Sequence, residues 1–94
     1  NLDEGKIGRN VAAYVLITAD YNLLKRKKIS QQELATKLKT NEFVEEVSMI
    51  TGTSDLILKI ITLDISQLNE FVTKYLRNVD GVERTQTLIV LESF

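Results

Sequence analysis

The chain has 94 residues, 44% hydrophobic and 27% charged, with a formal net charge of -1, which bounds it to one globular domain with a single core and gives it no bulk field to draw in a nucleic-acid backbone. It holds no Cys and no His, so disulfides, thiol chemistry, zinc sites of the usual kind and the commonest general base are excluded, and an enzyme would have to work with carboxylates, lysines and hydroxyls. No apolar run reaches the roughly 18 residues of a spanning helix and the start "NLDEGKIGRN" is no signal peptide; the expectation is a cytoplasmic domain with no membrane contact.

Residues 1–10 form a polar lead or linker, and the domain proper is expected over 11–94. "VAAYVLIT" (11–18) is rich in β-branched and aromatic residues and too short for a buried helix, which predicts a strand. "ADYNLLKRKK" reads as a loop or a frayed helix start. In "ISQQELATKLK" Ser30 and Glu33 stand at capping-box spacing, and Ile29 with Leu34 at the positions of a hydrophobic staple. A helix over 31–39 follows, with Leu34, Ala35 and Leu38 on one face. "FVEEVSMIT" (43–51) predicts a second strand, Gly52 a tight turn, and "DLILKIITL" a third strand, the most apolar segment of the chain. Asp64 and Gln67 repeat the capping-box spacing and open a helix whose Ile65, Leu68, Phe71, Val72, Tyr75 and Leu76 make a buried stripe. Asn78 and Gly81 end it, and 82–91 returns as a fourth strand.

The order strand, helix, strand, strand, helix, strand is a duplicated unit: "TKLKTNEFVEEV" and "TKYLRNVDGVERT" each run from a helix end through a polar turn into Val-Glu and a strand. That predicts an α+β, ferredoxin-like βαββαβ domain, its four-stranded antiparallel sheet covered by two helices on one face. A sheet with one wet face alternates apolar with polar, yet "AAYVLI", "LILKII" and "LIVL" are apolar on both faces. Either Ala13, Val15 and Ile17 or Ala12, Tyr14 and Leu16 must therefore lie on the open side. Each Leu, Ile or Val left in water forgoes roughly 1.5 to 3 kcal/mol, so a cover is required, and a second copy meeting sheet to sheet is the economical one. The dimer interface is expected at Tyr14, Leu16, Leu58, Ile60, Leu88 and Val90. Lys59 is the misfit in this band, read as a stem lying along the sheet with its ammonium at an edge.

These residues also carry a family resemblance. "TGTSDLILKI" (51–60) resembles the Thr-Gly-x-x-Asp-Leu turn and following strand of the effector-binding domain of Lrp/AsnC (leucine-responsive, feast/famine) transcription regulators. "GVERTQTLIVLE" is similar to that family's last strand, and "LDEGKIGRNVAAYVLI" to the connector from the DNA-binding domain and the first strand. The resemblance implies a non-enzymatic domain of a prokaryotic regulator that senses a small effector, usually an amino acid, and pairs through its sheet into a homodimer, with octamers of four dimers as a further level. It places the effector against Thr51, Gly52, Thr53, Ser54 and Asp55, with Thr85 and Thr87 as further contributors, Asp55 facing an α-ammonium and the Gly52 amides a carboxylate. Many relatives place an aromatic, often Tyr, where this chain has Ser54. DNA binding would belong to a helix-turn-helix that these residues do not contain, the connector-like lead pointing to a fragment of a longer regulator.

No catalytic residues, metal or cofactor are expected. Glu45 and Glu46 are adjacent, so on a strand they point to opposite faces and make no acid-base pair. The alternatives are a stand-alone or ligand-free oligomerisation module and a small ferredoxin-like enzyme. Lys25, Arg26, Lys27 and Lys28, without interleaved aromatics, read as a solvated loop rather than a nucleic-acid contact.

Overall fold

The computed structural model describes residues 10–94; the connector expected over 1–10 lies outside the described residues except for its last position. Four strands, β1 (Val11–Ala19), β2 (Val44–Met49), β3 (Leu56–Thr62) and β4 (Val82–Ile89), form one antiparallel sheet in the order β2-β3-β1-β4. Between β1 and β2 run α1 (Tyr21–Lys27) and α2 (Gln31–Lys39). Between β3 and β4 runs α3 (Ile65–Glu70), continued by a π-helical turn at Phe71–Tyr75 and a 3-10 turn at Leu76–Asn78. This is the ferredoxin-like α+β arrangement that the duplicated pattern predicts.

The capping box at α2 is present in full: Ser30 Oγ accepts from the Glu33 amide at 3.0 Å and Glu33 Oε1 accepts from the Ser30 amide at 2.8 Å. Behind it Ile29 packs on the core beside Leu34 and Leu38. At α3 the Asp64 carboxylate accepts from the Gln67 amide at 2.8 Å, but Gln67 Oε1 reaches past the cap to the Leu63 amide, also at 2.8 Å. Leu68, Phe71 and Leu76 of the expected stripe are buried and Val72 and Tyr75 pack at its edge, whereas Ile65, at the first helical position, is 47% exposed.

The segment read as a loop or frayed start is an ordered helix, α1. Asp20 Oδ1 caps it through the Leu23 amide at 3.1 Å, it buries Leu24, and it stops at Lys28, whose left-handed φ of 56° turns the chain. Leu24 reaches the core because Gly81 makes room for it. A Cβ on Gly81, which sits at φ +101°, would lie 2.5 Å from Leu24 Cδ2.

Strand register decides which apolar set the helices cover. Ala13, Val15 and Ile17 pair with Ile60, Leu58 and Leu56, and all lie in the core with Leu34, Leu38, Leu68 and Phe71. The open face therefore carries Ala12, Tyr14 and Leu16, in register with Ile61, Lys59 and Ile57 on one side. On the other side Tyr14 is in register with Leu88, and Val90 donates to Ala12 O at 2.9 Å. Leu58 and Ile60 must be removed from the expected dimer interface. Both are 0% exposed beneath the helices, because pairing sets the third strand one residue out of the phase assumed for it, and a one-residue shift moves every side chain to the other face.

Candidate functional site

The β2–β3 connection, 50–55, is built around Asp55. Its amide continues the ladder to Ile17 O at 2.8 Å and its carbonyl accepts from the Ile50 amide at 2.9 Å, with Gln31 Nε2 adding a donor at 3.3 Å. Beyond the end of β3, the Ala19 amide of β1 finds a substitute partner in Asp55 Oδ2 at 2.8 Å. The Tyr21 hydroxyl donates to the other oxygen, Oδ1, also at 2.8 Å. The carboxylate thus ties the turn to the β1–α1 junction, consistent with the rule that polar groups at a closing ladder find partners. Donating to an anion favours the protonated phenol, so the Tyr21 pKa is raised above its ordinary value, first by this hydrogen bond, then by desolvation and by the Asp55 charge.

Gly52 holds φ +122°, a conformation that L side chains rarely adopt, with open space where a Cβ would stand. The turn separates two clefts. One, of about 250 Å³, lies on the open sheet face between the turn and β4, lined by Leu16, Thr18, Thr53, Ser54, Arg84, Thr85 and Gln86. The other, of about 500 Å³, lies on the α1 side and is lined by Tyr21, Gln31, Met49, Ile50, Thr51, Gly52, Ser54 and Asp55. Ser54 borders both. Of the residues named from the sequence, Thr53 and Thr85 lie at the first cleft, and Thr51, Gly52 and Asp55 at the second. Thr87 is at neither: it is in register with Val15 and so faces the helix side.

Residues that the sequence did not single out complete the first cleft. Thr18 pairs with Arg84 and Leu16 with Gln86, which puts these four side chains on the open face. The pairing slips by one residue between Thr18 and Ala19, a bulge beside Arg84 of the kind that re-aims side chains at strand ends. Alternation along β4 was the available signal. It separates Arg84 and Gln86 from Thr85 and Thr87, but only after the face of β1 is known.

The family model for the Lrp/AsnC ligand binding domain matches residues 12–94. This chain belongs to that family. The Lrp/AsnC domain is 35% identical over 86 residues to the HTH-type transcriptional regulator FL11 of Pyrococcus furiosus, a match that covers 92% of the chain and 52% of the relative. The chain therefore spans about half the length of the curated relatives it matches. Among solved structures it resembles TTHA0845 from Thermus thermophilus, with a TM-score of 0.74 at 30% identity, covering 89% of this chain and 96% of that one. A TM-score of 0.79 relates it to the transcriptional regulator NMB0573 of Neisseria meningitidis in its complex with L-Met, at 20% identity over 98% of this chain and 56% of that one, a likeness of fold alone. The curated relatives are transcription regulators. Among the described residues no helix is long and apolar enough to cross a membrane, and no group of three or more acidic residues is placed to hold a metal.

Proposed function

We propose that this Lrp/AsnC ligand-binding domain senses a small effector, an amino acid, at the 51–55 turn, and that it does so as a homo-oligomer paired through the open face of its sheet, working in the cytoplasm and without catalysis. The observation that carries this reading is the position of the turn. A glycine corner at positive φ lies between two clefts and is tied by Asp55 to both β1 and α1, while the first cleft opens at the end of an apolar face that no other described residue covers. A ligand there would touch the turn and the rim of a paired sheet together, and it could shift assembly only as far as it prefers one arrangement over another. Dimers, and octamers of four dimers, are the assemblies through which such a preference would act. DNA binding would belong to a helix-turn-helix domain elsewhere in a longer regulator.

Isothermal titration calorimetry of the chain against the standard amino acids, L-methionine included, tests the sensing role. At least one is expected to bind, and Gly52→Val, which forces a β-branched residue into φ +122°, is expected to abolish the signal while the far-ultraviolet spectrum is retained. Silence across the panel would leave an oligomerisation module without an effector.

A further inference from the structure

We propose that Arg84 anchors a carboxylate in the cleft between the β2–β3 turn and β4, that Asp55 is a positioning residue for the turn rather than a ligand contact, and that the site accepts small α-substituted carboxylates without requiring an α-ammonium. The inference rests on the reading that this turn takes an effector, and it specifies the chemistry.

Arg84 is, among the described residues, the one charged residue lining the cleft; the others are Leu16, Gln86, the hydroxyl-bearing Thr18, Thr53 and Ser54, and Thr85, which is in register with Ile17 and faces the helix side. Among the described residues no carboxylate forms an ion pair with Arg84, the pairs there being Lys27 with Asp80 and Lys74 with Glu70. A guanidinium offers a planar pair of donors that matches a carboxylate in two parallel hydrogen bonds. The pairing slips by one residue beside Arg84, between Thr18–Arg84 and Ala19–Val82, leaving Glu83 unpaired. No acidic side chain among the described residues lines this cleft to receive an ammonium. The nearest candidate, Asp55, belongs to the cleft across the turn, and its two oxygens accept from the Ala19 amide and the Tyr21 hydroxyl, each at 2.8 Å. Hydroxyl groups can serve an α-amino, α-hydroxy or α-oxo substituent alike, since they donate and accept. The cleft of about 250 Å³ has room for a small carboxylate.

The test is nuclear magnetic resonance of the ¹⁵N-labelled chain titrated to millimolar levels with L-alanine, L-lactate, pyruvate and L-alaninamide. The three carboxylates should shift the Arg84 Nε–H and the Thr53 and Ser54 amides; alaninamide, which keeps the ammonium and lacks the carboxylate, should not. Arg84→Gln, at an exposed position, should weaken each carboxylate by about tenfold or more, and Arg84→Lys should restore part of the loss. Tyr21→Phe, which leaves the cleft lining intact, should alter turn resonances without abolishing carboxylate binding. Alaninamide acting like alanine, carboxylate shifts that survive Arg84→Gln, or no shifts at all would overturn the assignment. L-lactate and pyruvate held by Arg84 while every amino acid stays silent would keep the Arg84 anchor and remove the amino-acid reading; an amino acid bound at the turn regardless of Arg84 would do the reverse.

Discussion

The two faces of the sheet carry the same kind of side chain and differ in what covers them. Under the helices, Val15, Ile17, Leu56, Leu58 and Ile60 are 0% exposed. On the other side, Ala12, Tyr14, Leu16, Ile57, Ile61 and Val90 keep intermediate exposure and Leu88 is 44% exposed. Lys59 stands among them, in register with Tyr14 on β1 and Glu46 on β2. A solvated sheet face ordinarily presents polar side chains, so a face this apolar is built to be covered. Strand composition thus points to two faces that need cover, while pairing alone reports which residues each face holds.

Substitutions placed on one face or the other probe that contrast. Leu58→Ala, on the helix side, should lower unfolding free energy by about 2 to 5 kcal/mol, because it opens a cavity in a close-packed core; urea denaturation reads this directly. Ile57→Glu, one residue away on the open face, should leave a folded chain but weaken self-association by on the order of 2 to 4 kcal/mol, as loss of a central interface anchor does. Sedimentation velocity and circular dichroism together separate the two outcomes. Gly81→Ala should cost about 1 to 3 kcal/mol, from strain at positive φ and from overpacking against Leu24, and thermal unfolding will show it.

The smallest effect belongs to Tyr21. Its hydroxyl donates to Asp55 and its pKa is raised, so the folded state holds the phenolic proton more tightly than the unfolded chain does. The stability this contributes is complete below the ordinary tyrosine pKa of 10.0 and is lost as pH rises through the raised value. Ultraviolet titration should find two tyrosines that ionise late in the wild-type chain, Tyr21 and the part-buried Tyr75, of which Tyr21 alone returns toward its ordinary range in Asp55→Asn.

The helices with side-chain signals were legible in the sequence: Ser30 with Glu33, and Asp64 with a spaced apolar stripe, mark helix starts through short-range chemistry. α1 was not, because it lacks Glu or Gln three residues after Asp20 and rests on one buried side chain, Leu24, whose place depends on Gly81 far along the chain. The face assignment of Leu58 and Ile60 failed for a related reason. A run that is apolar at every position carries no phase, and only its partner strand supplies one. At the turn, the Thr-Gly-x-x-Asp spacing marks the corner, but the engagement of both Asp55 oxygens depends on Ala19 and Tyr21, contacts that no local pattern encodes. Arg84 was hidden likewise, since on an edge strand it resembles any solvated charge until Thr18 is set beside it.

The claim on which the rest depends is that the uncovered face of the sheet is buried against a second copy of the chain. Sedimentation equilibrium of the purified wild-type chain over a wide concentration range tests it most directly. The predicted result is a dimer or a multiple of it that Ile57→Glu converts to folded monomer; a well-folded wild-type monomer persisting at the highest concentrations would contradict it.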